Sequence, residues 1–261
     1  MSEPLLATVV LIFCWSMWVR RESLAYPFEK APTVVAAGMV LSVSLTSGAA
    51  SRVLNRTLHD LTGVWNVEDL VGHLLTLACI GGAISMFLAR FGNAEAVHRR
   101  FVQWVVRPII FAVPAMIYLH IWGAGGTHYW EHLESVVSGM DLRMTLYWLV
   151  YGGTSCYMLF GAWRLLKTLR ITDERRHVVI DIYTSAVIAT AAGAVQTLFH
   201  AAAPHWFHIC WLMWTFGALG AIAWSVAPAY SWVLKSRPLV IVDPNELREF
   251  ASHQDDEDDA A

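Results

Sequence analysis

The feature that most constrains this chain is a series of seven apolar segments, each near the length of a bilayer crossing. A helix needs about 20 mostly apolar residues to cross the hydrocarbon core of a membrane. The segments therefore predict an all-α fold, a polytopic transmembrane helical bundle of seven spans. We place the spans at residues 4–19, 32–50, 69–88, 105–123, 144–166, 178–199 and 208–233.

The composition agrees with a membrane location. Charged residues make up 15% of the chain, against about 25% in typical soluble domains. The 13 tryptophans fit the same class, because Trp concentrates at membrane interfaces. A net charge of −3 gives no basic footprint for nucleic acid. We therefore expect the lipid bilayer as a partner and no nucleic acid.

The distribution of Lys and Arg sets the orientation of the spans, because cytoplasmic loops carry an excess of both. Of the 18 basic residues, 15 fall on the side that holds the C-terminus, whereas Arg52, Arg56 and Arg143 fall on the other. We expect the N-terminus outside, the C-terminus in the cytoplasm and the cell (plasma) membrane as the location. The first segment precedes its basic pair, Arg20 and Arg21, which favours a retained span over a signal peptide.

The chain divides into a membrane domain, residues 1–235, and a short cytoplasmic tail, residues 236–261. Asp243, followed by Pro and later by Glu246, is typical of a helix start. The acidic run at 255–259 predicts a disordered end to the tail.

Two stretches carry a resemblance to a known family: Leu61-Thr-Gly-Val-Trp-Asn-Val-Glu-Asp-Leu-Val-Gly-His73 and Trp232-Val-Leu-Lys-Ser-Arg-Pro-Leu239. They are similar to segments of an actinobacterial membrane family whose members have a seven-span N-terminal region. Some members are described as transporters, without a demonstrated substrate. The resemblance implies the seven-span topology and no catalytic residues.

Histidines collect on the outer side of the predicted topology. His128 and His132 have i,i+4 spacing, so a helical loop places them on one face. His200, His205 and His208 share the short connection between the last two spans. A Zn, Cu or haem site built from these five histidines is one hypothesis. Interfacial packing among tryptophans and pH sensing are the others.

Charge is nearly absent from the predicted hydrocarbon region, where ionisable groups mark ion paths. Asp181 lies about one turn inside the sixth span, and we predict a structural ion pair between Asp181 and Arg164, with Lys167 as the alternative partner. The glycine pairs 81–82 and 152–153 predict close helix packing.

The function expected from these residues is non-enzymatic. No GxSxG, HExxH or Walker motif occurs in the sequence, so hydrolytic and nucleotide-driven chemistry lack support. We favour a sensing or interaction protein that acts through its bundle and a cytoplasmic protein partner, and we predict no cofactor. One alternative is a small-solute transporter or channel that uses the hydroxyl groups of the second span and a kink at Pro114 in the fourth. The other is a metal- or haem-binding protein that uses the outer histidines.

Overall fold

The protein is a bundle of α-helices in a computed structural model that describes residues 3–91, 94–133, 141–172, 177–202 and 210–240. Every regular element within these residues is helical, as the sequence predicts. A π-helical segment, Val102–Val106, joins α5 to α6, and a 3₁₀ turn, Ser23–Ala25, precedes α2. The helices are α1 Glu3–Val19, α2 Pro27–Leu45, α3 Gly48–Thr62, α4 Val67–Leu88, α5 Ala94–Phe101, α6 Arg107–Trp122, α7 Ala124–Thr127, α8 Leu142–Thr172, α9 His177–Ala202 and α10 Cys210–Val240.

Several of these helices fit a membrane. Within the described ranges, four are long and apolar enough to cross one: α4, the continuous helix Ala94–Trp122, α9 and α10. A fifth crossing results if the bent pair α2 and α3 counts as one span. The bundle is therefore compatible with a membrane protein.

Five helices form a closed ring. α2 packs on α4, α4 on α8, α8 on α9, α9 on α10, and α10 returns to α2. α1 packs outside the ring against α10 and α2, and α6 packs outside it against α8 and α4. The interior of the ring is where the candidate site lies.

The π-helical segment sets how α6 meets α8. Trp104 lies in this segment, and its ring stacks on Tyr157 at 5.5 Å between centroids. Its six-membered ring covers Gly161 so closely that a Cβ at that position would clash. The irregularity in this helix is thus at Val102–Val106, whereas Pro114, the predicted kink site, lies inside α6.

One end of the bundle carries a folded cap, which lies between the second and third predicted spans. Residues 51–68 belong largely to α3, whose N-cap Ser47 accepts a hydrogen bond from the Ala50 N–H (3.3 Å). Gly63, at φ 73°, ends the helix, and glycine adopts this backbone without steric cost.

Asn66 holds the cap together. Its side-chain amide donates to the carbonyls of Gly125 (2.6 Å) and His128 (2.8 Å). Its amide oxygen accepts from Asn55 Nδ2 (2.7 Å) and from the Trp130 N–H (3.2 Å). The backbone of Asn66 is left-handed, at φ 52°, a conformation that Asn tolerates better than most residues. One buried side chain thereby ties α3, α4 and the 123–133 segment into a single unit.

At the opposite end, Arg20 and Glu29 join three helices. Arg20 is 1% exposed, and its guanidinium donates to Thr33 Oγ1 (2.5 Å) and to the Glu29 carbonyl (2.8 Å). The Glu29 carboxylate forms an ion pair with Lys235 of α10. These contacts fix α1, α2 and α10 relative to one another.

The predicted pairing of Asp181 with Arg164 is wrong. Asp181 pairs with Arg170, with Nε–Oδ1 at 2.9 Å and Nη2–Oδ2 at 3.2 Å. The Arg164 guanidinium lies instead 6.0 Å from the ring centroid of Trp104. The reason is that α8 continues to Thr172, beyond the predicted span end at residue 166, so Arg170 faces the first turns of α9.

Two glycines of α8 give a test of the contact between Trp104 and Gly161. We expect Gly161→Ala to lower the thermal midpoint of the detergent-solubilised protein, because the new methyl group displaces the Trp104 ring, at a cost of about 1–3 kcal/mol. Gly153→Ala on the same helix is the control, since its Cβ would meet no atom within 4 Å. Equal midpoints for the two variants, measured by tryptophan fluorescence on heating, would contradict the close contact.

Candidate functional site

The candidate site is a cavity of about 100 Å³ inside the ring of five helices. Each of the five helices contributes to its wall, and the lining side chains are uncharged. They are Met39, Ser42, Val43 and Thr46 of α2, His73 and Thr76 of α4, Trp148, Tyr151 and Ser155 of α8, Thr190, Gly193, Ala194 and Thr197 of α9, and Met213, Trp214, Gly217 and Ala221 of α10.

Hydroxyl groups form the polar part of the wall, and most of them bond to helix carbonyls. Ser42 donates to the Gly72 carbonyl (2.7 Å) and lies 2.5 Å from the Thr76 hydroxyl. Thr190 and Thr197 each donate to the carbonyl four residues earlier, at 2.8 and 3.0 Å. These hydroxyls have used their single proton and can only accept further hydrogen bonds, and Thr190 Oγ1 already accepts one from the Trp224 indole N–H (3.2 Å).

Two groups on α8 differ from the rest of the wall. Ser155 is 2% exposed and Trp148 is 1% exposed. Within the described residues, neither the Ser155 hydroxyl nor the Trp148 indole N–H has a hydrogen-bond partner. A buried donor without a partner costs about 1–3 kcal/mol. The wall of the cavity therefore includes two residues whose hydrogen-bond donors are buried and unpaired.

An aromatic cluster surrounds His73 at one side of the cavity. Its Nδ1 shares a hydrogen bond of 2.8 Å with the Tyr147 hydroxyl. Its ring lies 5.2 Å from the Trp148 ring and 4.5 Å from the Tyr151 ring, measured between centroids. These contacts hold the imidazole in one orientation, so this part of the wall is rigid.

Size and charge limit what this cavity can bind. An apolar cavity of about 150 Å³ accommodates benzene, so 100 Å³ corresponds to a molecule of about four to six non-hydrogen atoms. With uncharged side chains in the wall, an ionic ligand would lose its hydration without compensation. The geometry suits a neutral molecule with one or more oxygen atoms.

Two of the five histidines predicted as metal ligands, His128 and His132, lie in a segment without helical structure. Residues 128–132 are not helical, so the predicted common face of His128 and His132 is wrong. His128 bonds to the Thr127 hydroxyl at 2.9 Å, whereas His132 packs on Gly48. Burial lowers the pKa of the His132 imidazole, which favours its neutral form at pH 7.

Of the other three predicted ligands, His200 lies within the described residues. His200 is 7% exposed, and its ring lies 6.5 Å from that of Trp148. His205 and His208 lie outside the described residues. Among the residues that the structure does describe, no three His, Cys, Asp or Glu side chains form a group suited to a metal ion.

Sequence reasoning found part of this site. The transporter hypothesis used the hydroxyl groups of the second span, and Ser42 and Thr46 of that span do line the cavity. The unpaired donors on α8 were missed. The signal available for them was the polar stretch Gly152-Gly-Thr-Ser155 inside an otherwise apolar segment.

The comparisons with known proteins give no family for this chain. It matches no family model, no curated protein and no solved structure. The functional assignment therefore rests on the residues of the cavity.

Removal of a hydrogen-bonded hydroxyl from the wall should change the stability of the protein differently from removal of an unpaired one. We expect Ser155→Ala to leave the thermal midpoint unchanged or to raise it, because it removes a buried donor that has no partner. Ser42→Ala, the matched control, should lower the midpoint, because it removes an existing hydrogen bond that contributes about 1 kcal/mol to the free energy of unfolding. Thermal unfolding in detergent measures both, and a loss at Ser155 as large as that at Ser42 would show that the Ser155 hydroxyl is already bonded.

Proposed function

We propose that this chain is an integral protein of the cell membrane with seven spans, its N-terminus outside and its C-terminus in the cytoplasm. In the part of the chain that the structure describes, four helices are long and apolar enough by themselves to cross a membrane. The helices α1, α2 and α8 would be the remaining three of the seven spans. α8 packs on α4, α6 and α9. A helix surrounded by other helices can carry the Gly, Ser, Thr and Tyr residues that reduce its apolar character.

Orientation can be tested at two exposed positions. In a variant whose four native cysteines are replaced by serine, we expect Asp60→Cys on α3 to react with a membrane-impermeant maleimide applied to intact cells. Thr172→Cys, at the end of α8, should react only after the cells are permeabilised, because basic residues concentrate on its side of the bilayer. The reverse pattern would overturn the orientation.

We propose further that the protein is a non-enzymatic sensor that binds a small neutral molecule in the cavity of the ring. The observation that carries this proposal is the pair of unpartnered donors, Ser155 and Trp148, in a wall without charged side chains. Unsatisfied donors are retained in proteins where function requires them. A ligand that offers a carbonyl or ether oxygen supplies the missing partner.

The properties of such a ligand favour sensing over transport. A neutral molecule of this size with one polar group has a small desolvation cost in hydrocarbon, so it crosses a bilayer without a carrier. Binding inside the ring contacts all five helices at once. A ligand that fits one arrangement of the helices better than another shifts the population toward it. A cytoplasmic protein partner then binds the basic cytoplasmic loops and responds to the new arrangement of the helices.

A second candidate function is a facilitator for a small neutral polyol. The observation that favours it is the set of hydroxyl acceptors on α2, α4 and α9, which suits a ligand with several O–H groups. A polyol has a high desolvation cost and does need a path across the membrane. Glycerol flux into proteoliposomes above that of protein-free vesicles would favour this candidate.

Binding can be tested with cyclopentanone as the probe and butyrate as its charged counterpart. We expect cyclopentanone to raise the thermal midpoint of the purified chain in a concentration-dependent manner, since a ligand of the folded state stabilises it by mass action. Butyrate should have no effect, because the wall offers no counter-charge.

Two glycines provide the matched variants. Gly217 lines the cavity, and a Cβ there would meet no atom within 4 Å. Gly217→Leu should therefore fill the cavity and abolish the shift. Gly153→Leu, at an equally open position away from the cavity, should retain it. A shift that persists in Gly217→Leu, or that butyrate also produces, would contradict binding at this site.

A further inference from the structure

The helix α3 leaves the end of α2 at a sharp angle. The two helices are bent by 79° at Thr46 and Ser47. α3 has 15 residues, so at 1.5 Å per residue it extends about 22 Å sideways. If α2 runs roughly along the membrane normal, α3 runs roughly parallel to the membrane surface.

The side chains of α3 divide into three faces. The first face packs on the protein, where Gly48, Ser51 and Asn55 are buried. Ser51 donates to the carboxylate of Glu68 at the start of α4 (2.7 Å). This face anchors the helix to the bundle.

The second face is an apolar stripe that the protein covers only in part, since Ala50 and Leu58 are half-buried. Leu54 is 37% exposed and Leu61 is 78% exposed. Together with Ala50 and Leu58 they follow the i, i+4, i+8, i+11 spacing of one helix face. Exposure of these leucines to water would cost about 25 cal/mol of free energy per Å² of apolar surface.

The third face is polar and lies roughly opposite the leucine stripe. It carries Arg52, Arg56 and Asp60, all of them exposed. Arg52 is held by the carboxylates of Glu131 (2.5 Å) and Glu3 (2.8 Å), whereas Arg56 makes no ion pair within the described residues. Three charged residues in 15 exclude α3 from the hydrocarbon core but are compatible with the headgroup region.

We propose that α3 is an interfacial helix that lies in the outer leaflet, with the Leu54, Leu58 and Leu61 stripe among the upper acyl segments and Arg56 at the lipid phosphates. The inference rests on the proposed topology. A helix with one apolar and one polar face binds at the plane between headgroups and acyl chains. The bilayer, already in contact with the exposed apolar faces of the spans, continues onto this stripe.

Aromatic residues beside α3 also support a position of this helix at the level of the lipid headgroups. The Trp65 ring stacks on His59 at 3.7 Å and meets Tyr129 edge-on at 5.7 Å, both between centroids. Trp and Tyr concentrate at the level of the headgroups. The cap therefore presents its aromatic residues and its amphipathic helix at the end of the bundle that carries Arg52 and Arg56.

Depth-dependent fluorescence quenching tests the proposal on the full chain in phosphatidylcholine vesicles. Single cysteines at exposed sites, Leu54→Cys, Leu61→Cys, Arg56→Cys and Asp60→Cys, are labelled with an environment-sensitive probe after the native cysteines are replaced. Probes at positions 54 and 61 should lose more fluorescence to 5-doxyl than to 12-doxyl phosphatidylcholine. Probes at positions 56 and 60 should lose fluorescence to aqueous iodide instead.

A control in the centre of α9 separates the failure of this inference from the failure of the topology. Ile188 is 57% exposed, and a probe at Ile188→Cys should be quenched most by the deeper 12-doxyl lipid. If position 188 behaves in this way while positions 54 and 61 are as accessible to iodide as position 56, α3 lies in water and the inference is wrong. If position 188 is also insensitive to the doxyl lipids, the proposed topology is wrong as well.

Discussion

The need to give every buried polar group a hydrogen-bond partner shapes this bundle. In an apolar medium an unpaired polar group is costly, so the backbone is helical and the Thr190 and Thr197 hydroxyls bond to carbonyls of their own helix. The cap follows the same rule through Asn66, which bonds both to α3 and to the 123–133 segment. Against this background the unpartnered donors of Ser155 and Trp148 stand out among the described residues that line the cavity.

Small residues allow the ring of five helices to close. Gly72 of α4 meets Thr46 Cγ2, at 2.6 Å from an added Cβ, and Gly152 of α8 meets Leu198 of α9 at 2.9 Å. Gly220 of α10 meets Thr190 Oγ1 at 2.7 Å. At each of these contacts glycine lets the helix axes approach closely. The predicted packing role of the glycine pairs is confirmed at Gly152 and does not apply to Gly153, which has no neighbour within 4 Å.

The sequence predicts the long helices well because the length of an apolar run depends on local composition alone. It fails where tertiary contacts decide. Ser47 and Gly63, an N-cap and a C-terminal glycine, are typical helix boundaries, but residues 51–68 lay outside the predicted spans and α3 was not predicted. The i,i+4 spacing of His128 and His132 predicted a helical face, whereas the bonds from Asn66 hold that segment in a non-helical path. The partner of Asp181 depended on where α8 ends, and sequence patterns locate helix ends less accurately than helix centres.

The arrangement of helices around the ring indicates how a neutral ligand reaches the cavity. α1 covers α2 and α10 from outside, and α6 covers α4 and α8. α9 packs on α8 and α10, and its outer face carries the exposed side chains of Ile188, Val195 and Phe199. The wall of the cavity is therefore one helix thick at α9. A lipid-soluble molecule partitions from water into the bilayer through the hydrophobic effect, so its concentration next to α9 is high. A site reached from the bilayer suits a receptor for membrane-permeant molecules better than a carrier, because a carrier needs access from both aqueous sides in turn.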